Sequence, residues 1–367
     1  MKILHLSTWE SGGAGISATR LSHTLNNMGV NSKVIHMSNR LLAYVDAGIG
    51  KMTHFTNPIF HSYNYFGQNL SAKIKSFNPD IIHVHWIGAG FVTPESLAKF
   101  DLPIVWTLHD LWPLCGAEHL PGSSRFKYGY LNDNRPIGES GLDLDRLVWE
   151  RKIKAFKGLN LTFVAPSNYV TEQAKNAKII NDHKLIYIPN GVDEKIFHPT
   201  KTKNFKKMTI LFVANNPSLD LNKGYADFHK AVNLLPAKLR QNIEVKIIGG
   251  EVTSESKMSD LYSSATVTVV ASKMETLSYV TMESMACGTP VVAYNVGGIP
   301  DLIDHKVNGY LAEPGDVKDL ARGIELLLSS PELLAEYVKV GRAKISKHFE
   351  MKQIAKKYLS LYQELIS

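Results

Sequence analysis

The feature that most constrains this chain is a regular alternation of short apolar runs with longer amphipathic stretches. In the first half the runs are residues 2–7, 32–36, 81–85, 104–108, 162–165 and 185–188. Each is bounded by turn residues or a helix, the pattern of strands buried on both faces of a parallel sheet. A polar, lysine-rich stretch at 200–207 interrupts the series. A second series follows at 209–214, 245–249, 267–271, 290–294 and 309–311. The expected fold is α/β, with two parallel-sheet, Rossmann-like domains in tandem. Residues 1–200 form the first, completed by a last helix at 351–367, and residues 208–348 form the second. With 367 residues the chain has room for both.

Charged residues make up 20% of the chain and hydrophobic residues 44%, which argues against disorder. The net charge of +7 is uneven: residues 1–207 carry a balance of +8 and residues 208–348 one of −2. The basic half implies an anionic partner such as a lipid surface or a lipid diphosphate. Within it Arg151, Lys152, Lys154 and Lys157 read as a basic helix face for an anionic membrane. The two cysteines, Cys115 and Cys287, lie in no metal-binding pattern and read as buried thiols of a reducing compartment. No apolar stretch is long enough to span a bilayer. The expectation is a cytoplasmic protein, peripheral at the inner face of the cell membrane.

Chemistry-bearing residues collect where strands end. Gly12, Gly13 and Ala14 follow the first strand and precede a helix expected over 16–27, where backbone N–H groups can meet an anion. A dehydrogenase would need an acidic residue near the end of the second strand. Residues 33–39 read Lys-Val-Ile-His-Met-Ser-Asn and offer none, so NAD binding is not expected. His109 and Asp110 end an apolar strand, and His109 is placed to donate to a sugar hydroxyl or a developing charge. His83 and His85 alternate on one face with no third ligand in sight, which favours a structural or substrate-edge role over metal. The long loop 115–146 follows a strand end and reads as functional or disordered. Within it Asp143-Leu144-Asp145 reads as a helix start rather than a metal-binding pair.

The most specific segment is 272–293, read as strand end, loop, helix, turn and strand. Glu275 falls in the loop and Glu283 inside the helix, so both can face one ligand. The helix N-terminus between them suits phosphate. Two acids flanking an anion-binding helix end suit a nucleoside diphosphate sugar, one acid for sugar hydroxyls and one for ribose.

This segment resembles the signature of the retaining GT-B glycosyltransferases usually called group 1. It is joined by Tyr-Asn-Val-Gly-Gly-Ile-Pro at 294–300, Asn308-Gly309 and Ala-Glu-Pro-Gly-Asp at 312–316. The resemblance extends to Gly12–Ala14, Thr107–Asp110, Pro189-Asn190-Gly191-Val192-Asp193 and Lys223-Gly224. It is similar in particular to enzymes of bacterial surface-polysaccharide assembly. The resemblance implies two domains facing across a cleft, a nucleotide-sugar donor and a glycan or lipid-diphosphate-linked acceptor, with no metal, no cofactor and no nucleic acid. It implies that Lys223 contacts the donor diphosphate, Glu275 the transferred sugar and Glu283 the ribose. Backbone groups of Thr276, Leu277 and Ser278 would meet sugar or phosphate, Gly12, Gly13 and Ala14 would lie under the diphosphate, and His109 beside the sugar. Asn190 would stand at the cleft.

Two departures from the family pattern stand out. An Arg that often pairs with the Lys is missing from residues 213–217, where Asn215 and Asn216 stand instead. A guanidinium fork is not replaced by an amide. Residues 251–255 also join strand to helix directly, which shortens the region where the base usually rests. A non-hydrolysing nucleotide-sugar epimerase and a non-catalytic sugar-nucleotide-binding subunit are the alternatives.

Overall fold

The computed structural model describes residues 1–57, 60–201, 207–250 and 254–367. The chain forms two compact units, residues 1–188 with 355–367, and residues 189–354. The lysine-rich stretch expected to join them lies partly outside the described residues, at 202–206, as do residues 251–253 of the shortened connection. Residues Pro189–Ile354 belong to the second unit. There Val192 N–H donates to the Phe349 carbonyl at 2.9 Å, and Thr200 N–H to Ser263 Oγ at 3.1 Å.

The first unit is built on β1 Lys2–Ser7, β2 Asn31–Ile35, β3 Ile81–Trp86, β4 Ile104–Thr107, β5 Leu161–Ala165 and β6 Lys184–Tyr187. These form one parallel sheet in the order β2-β1-β3-β4-β5-β6. The second unit holds β7 Met208–Val213, β8 Ile243–Ile248, β9 Val267–Val270, β10 Val291–Tyr294 and β11 Gly309–Ala312. Its parallel order is β8-β7-β9-β10-β11. Both orders reverse beside the first strand of the unit, and such a switch leaves a ligand crevice beyond the strand C-termini. Every apolar run expected to be a strand lies within two residues of one of these.

Both faces of the second sheet are buried: Ile210 and Phe212 join one apolar cluster, and Leu211 between them joins the other. In the first sheet Leu4, Leu6, Ile82, Val84 and Trp106 share an apolar core. Alternation along β1 and β3 sends His5, His83 and His85 to the opposite face. Over that face the last helix, Met351–Ile366, brings the hydroxyls of Tyr358 and Tyr362 to Thr107 and His83.

Two helices depart from expectation. Helix α1, Gly12–Asn27, starts at Gly12 rather than Ile16, so the glycines form its first turn after the cap residue Ser11. Glycine propensity argues against such a turn, and the tight exit from β1 overrides it. Helix α2, Leu144–Phe156, starts behind Asp143, whose carboxylate accepts the Arg146 N–H at 3.0 Å. On α2 the expected basic membrane face does not exist. Lys152 is fully buried, donating to the carbonyls of Trp112, Cys115 and Gly116 with its ammonium 3.6 Å from the Trp112 ring centre. Arg151 is spent on Glu95 at 2.7 Å and on the Tyr63 and Asn64 carbonyls. The run of basic letters hid a helix that turns Lys152 inward to hold the loop 115–146. That loop is further tied down by Arg125 to Asp143 at 2.5 Å and by pairing of Ser140–Gly141 with Thr53–His54. No described helix is long and apolar enough to cross a membrane.

Candidate functional site

In the second unit the residues singled out by sequence gather at the switch between β7 and β9. Lys223 and Glu275, 52 positions apart, form an ion pair with Nζ 2.8 Å from Oε1. The carboxylate beside it raises the Lys223 pKa, so the cation is firmly held. The turn carrying Lys223 is locally specified. Asp220 accepts the Asn222 N–H at 3.0 Å, and Asn222 Nδ2 donates to the Met274 carbonyl at 3.0 Å. Its carbonyl in turn accepts the Lys273 N–H at 2.8 Å, which ties the Lys223 turn to the Glu275 loop. Gly224 follows with φ +68, and a Cβ there would lie 1.9 Å from the Ala271 carbonyl oxygen.

Glu275 is held from the other side by the Gly297-Gly298 turn. Gly298 N–H donates to the Glu275 carbonyl at 2.9 Å. Gly297 has φ +54, and a Cβ there would stand 1.8 Å from that same oxygen, so only glycine fits. Helix α3, Tyr279–Ala286, begins directly after, with Ser278 Oγ accepting the Thr281 N–H at 3.3 Å. Ser278 is thus a cap, and Leu277 packs in the core. What Thr276–Ser278 can offer a ligand is mainly backbone. Glu283 lies one turn into α3, buried, and accepts from the Tyr262 hydroxyl at 3.1 Å. Asn215 is exposed at the end of β7, with its carbonyl accepting the Gly250 N–H at 3.0 Å. Asn190 is buried in the segment that bridges to the start of the last helix.

The first unit places Gly12, Gly13 and Ala14 in the first turn of α1 at the C-terminal end of β1. His109 follows β4. Its Nε2 lies 2.9 Å from His85 Nδ1, and His85 Nε2 lies 3.0 Å from His5 Nδ1. The third histidine missing from the sequence pair is therefore His5, the register partner of His83. Ring nitrogens of His5, His83 and His85 all lie within 4.8 Å of one another. Those of His83 bond Tyr362 Oη at 2.6 Å and Thr107 Oγ1 at 2.8 Å, and those of His85 bond its neighbours. The cluster is joined into a hydrogen-bonded network. Burial pushes the His109 pKa down to about 4, against the pull of Asp110, and that of His5 to about 3, so both rings are neutral near pH 7.

Asp110 does not point to chemistry. Its Oδ2 accepts from Trp86 Nε1 and from His119 Nδ1, both at 2.5 Å, and its Oδ1 accepts the Trp112 N–H at 3.0 Å. It shapes the turn that presents His109. Asn222, Tyr262, Gly297 and His5 were the site residues sequence reasoning missed as such. The first two carry no pattern. Gly297 sits in the Gly-Gly motif, but its contact with Glu275 spans 22 residues. His5 interrupts an apolar strand, and only sheet register shows what it meets.

Two doubly wound α/β units, the second with a Lys–Glu pair at its switch point before a helix N-terminus, define a protein of the GT-B class. Residues 11–195 match the family model described as Glycosyltransferase Family 4, and residues 250–344 match Glycosyl transferases group 1. The chain belongs to this glycosyltransferase family. It is 26% identical over 304 residues to the sulfoquinovosyl transferase SQD2 of Arabidopsis thaliana, covering 76% of this chain and 56% of that protein. The chain thus spans little more than half of that relative's length. Among solved structures, sucrose-phosphate synthase from Thermosynechococcus elongatus superposes with a TM-score of 0.72 at 17% identity, covering 99% of this chain and 98% of that one. Anabaena HepE in complex with UDP-glucose gives 0.65 at 16% identity, with both chains covered completely.

Proposed function

We propose that this chain is a retaining glycosyltransferase that moves a sugar from a nucleoside diphosphate sugar, uridine- or guanosine-linked, to a glycan or lipid-diphosphate-linked acceptor. It does so in the cytoplasm, without metal or cofactor, in bacterial surface-polysaccharide synthesis. The observation that carries the reading is the Lys223–Glu275 pair in front of α3. In such a donor the sugar and the diphosphate are joined through one oxygen. The cation that serves the leaving phosphate and the carboxylate that serves the sugar must therefore be neighbours, and here they touch.

In this reading Lys223 and the N–H groups leading into α3 neutralise charge developing on the departing diphosphate. Glu275 holds the transferred sugar, Glu283 the ribose, and His109 donates to the sugar. The acceptor attacks on the face the diphosphate leaves, and a diphosphate oxygen takes its proton. Catalysis then rests on positioning and leaving-group stabilisation. The complex of HepE with UDP-glucose makes uridine the first nucleotide to test. With Lys152 buried, α2 leaves only Lys154 and Lys157 for a membrane, on the order of 2 kcal/mol at about 1 kcal/mol each. Attachment through that helix is therefore not part of the proposal, and a lipid-linked acceptor rests on the +8 balance of the first half.

The test is a panel of nucleotide sugars offered with lipid-diphosphate and free glycan acceptors, with NMR of the products. A new glycoside keeping the donor's anomeric configuration is expected, and activity should persist in EDTA. An epimerised nucleotide sugar, an inverted glycoside or binding without turnover would each refute the proposal. Loss in EDTA that added metal restores would refute its metal-free part.

A further inference from the structure

The helix Leu41–Ile49, in the first unit, wears its polarity inside out. A surface helix of a soluble domain normally turns its apolar stripe to the core and its charges to water. Here Leu42 and Ile49 pack against the apolar core, and Asp46 is buried between them, accepting the N–H groups of Tyr63 at 3.1 Å and Asn64 at 2.6 Å. The only charge on the helix is thus spent inward. Positions 41, 44, 45 and 48 share the opposite face by their spacing of three and four. They are Leu, Tyr, Val and Gly, all exposed, with Leu41 66% and Tyr44 77% open to solvent. Met52, in the turn that follows, is 56% exposed. Next to it Thr53 Oγ1 donates to the carbonyl of Leu142, a further exposed leucine.

Cations stand at both ends of this face. Arg40 precedes the first turn and Lys51 follows the last, and both are exposed. From Ser11 to Pro79 the chain has six basic residues and one acid, the buried Asp46. An apolar face bounded by cations, with no exposed acid on the segment, fits an anionic bilayer. The side chains enter the boundary between head groups and acyl chains, the cations meet lipid phosphates, and a tyrosine suits that boundary by having an apolar ring and a polar tip. A second copy of this chain fits the charges badly. Two-fold pairing through the helix sets cation against cation whichever way the axis runs, and the segment has no exposed acid to separate them.

We infer that the outward face of Leu41–Ile49, continued by Met52, is a docking surface that rests in an anionic lipid bilayer, with Arg40 and Lys51 on the head groups. It occupies a different helix from the basic run on α2, where Lys152 turns inward. The inference stands apart from sugar transfer, because attachment to a bilayer is read without turnover.

Co-sedimentation of the full chain with phosphatidylcholine vesicles, with and without phosphatidylglycerol, tests it. Binding to the phosphatidylglycerol vesicles at low salt is expected, fading at high salt. Leu41→Ser with Tyr44→Ser should lower the partition coefficient about 10-fold or more, and Arg40→Gln with Lys51→Gln about 30-fold. These side chains are exposed, so the melting temperature should stay that of the wild type. Gly48→Cys gives a second measurement. A Cβ there meets nothing within 4 Å, and Cys115 and Cys287 are buried, so an environment-sensitive fluorophore can be placed on the new thiol alone. Its emission should shift to the blue on anionic vesicles. Wild-type protein that ignores those vesicles at low salt, binding that survives the Leu41 and Tyr44 changes, or a label that stays in water would overturn the inference. So would a dimer that Leu41→Ser with Tyr44→Ser dissociates, which would make the face an interface between copies. Absence of sugar transfer would refute the function proposed above and leave the vesicle result standing.

Discussion

Glu275 and Lys223 touch, so a substitution at either one alters the other. Glu275→Ala removes the sugar contact and the partner of Lys223 together. Turnover should fall roughly 100- to 1000-fold, the cost of one preorganised charged contact in a transition state. Affinity for free UDP should stay within a few-fold, because the freed ammonium still meets phosphate. Steady-state kinetics beside calorimetry checks both, and near-normal turnover would exclude Glu275 from the mechanism. Lys223→Ala should weaken UDP binding by about 1.5–3 kcal/mol, a lost charged hydrogen bond. With Asn215 and Asn216 where the family often has Arg, an unchanged affinity would mean that another cation carries the diphosphate.

At the scale of elements, turns set the geometry of the pair. Gly297→Ala would drive a methyl into the Glu275 carbonyl at a φ of +54, straining the loop by about 1–3 kcal/mol. The expected result is a folded protein with a lower melting temperature and strongly reduced turnover. Wild-type turnover in this variant would mean that the Gly297 turn does not set the position of Glu275. Helix α2 makes a different point. Lys152→Met fits the space but leaves the Trp112, Cys115 and Gly116 carbonyls without their shared donor. Urea denaturation should show a loss of about 2–4 kcal/mol. Charge reversal at the exposed Lys154 and Lys157 should leave the midpoint unchanged, a contrast that the basic run does not show when read as letters.

For the molecule as a whole, the histidine-lined sheet sets how it meets acid. His5 and His109 have pKa values near 3 and 4 in the folded chain against an ordinary 6.5. Below pH 6.5 the unfolded chain binds protons that the native chain refuses, so stability rises with pH between about 4 and 6.5 and is lost as pH falls through that window. Each such ring contributes about 1.4 kcal/mol per pH unit. The melting temperature should drop steeply from pH 6.5 to 4 and less steeply in His5→Asn. An equal slope in both would show that His5 is not held neutral.

Residue order alone determined the strand runs, the two-unit α/β plan and the Glu275–Glu283 segment, because period and turn chemistry are local properties. Only tertiary structure decided which residues meet. Lys223 reaches Glu275 across 52 positions through sheet order and two obligatory glycines. His5 completes a chain with His85 through strand register. Lys152 turns inward because three carbonyls of a distant loop need its protons. Each of these depends on a distance between residues far apart in sequence, and no local pattern of letters contains such a distance.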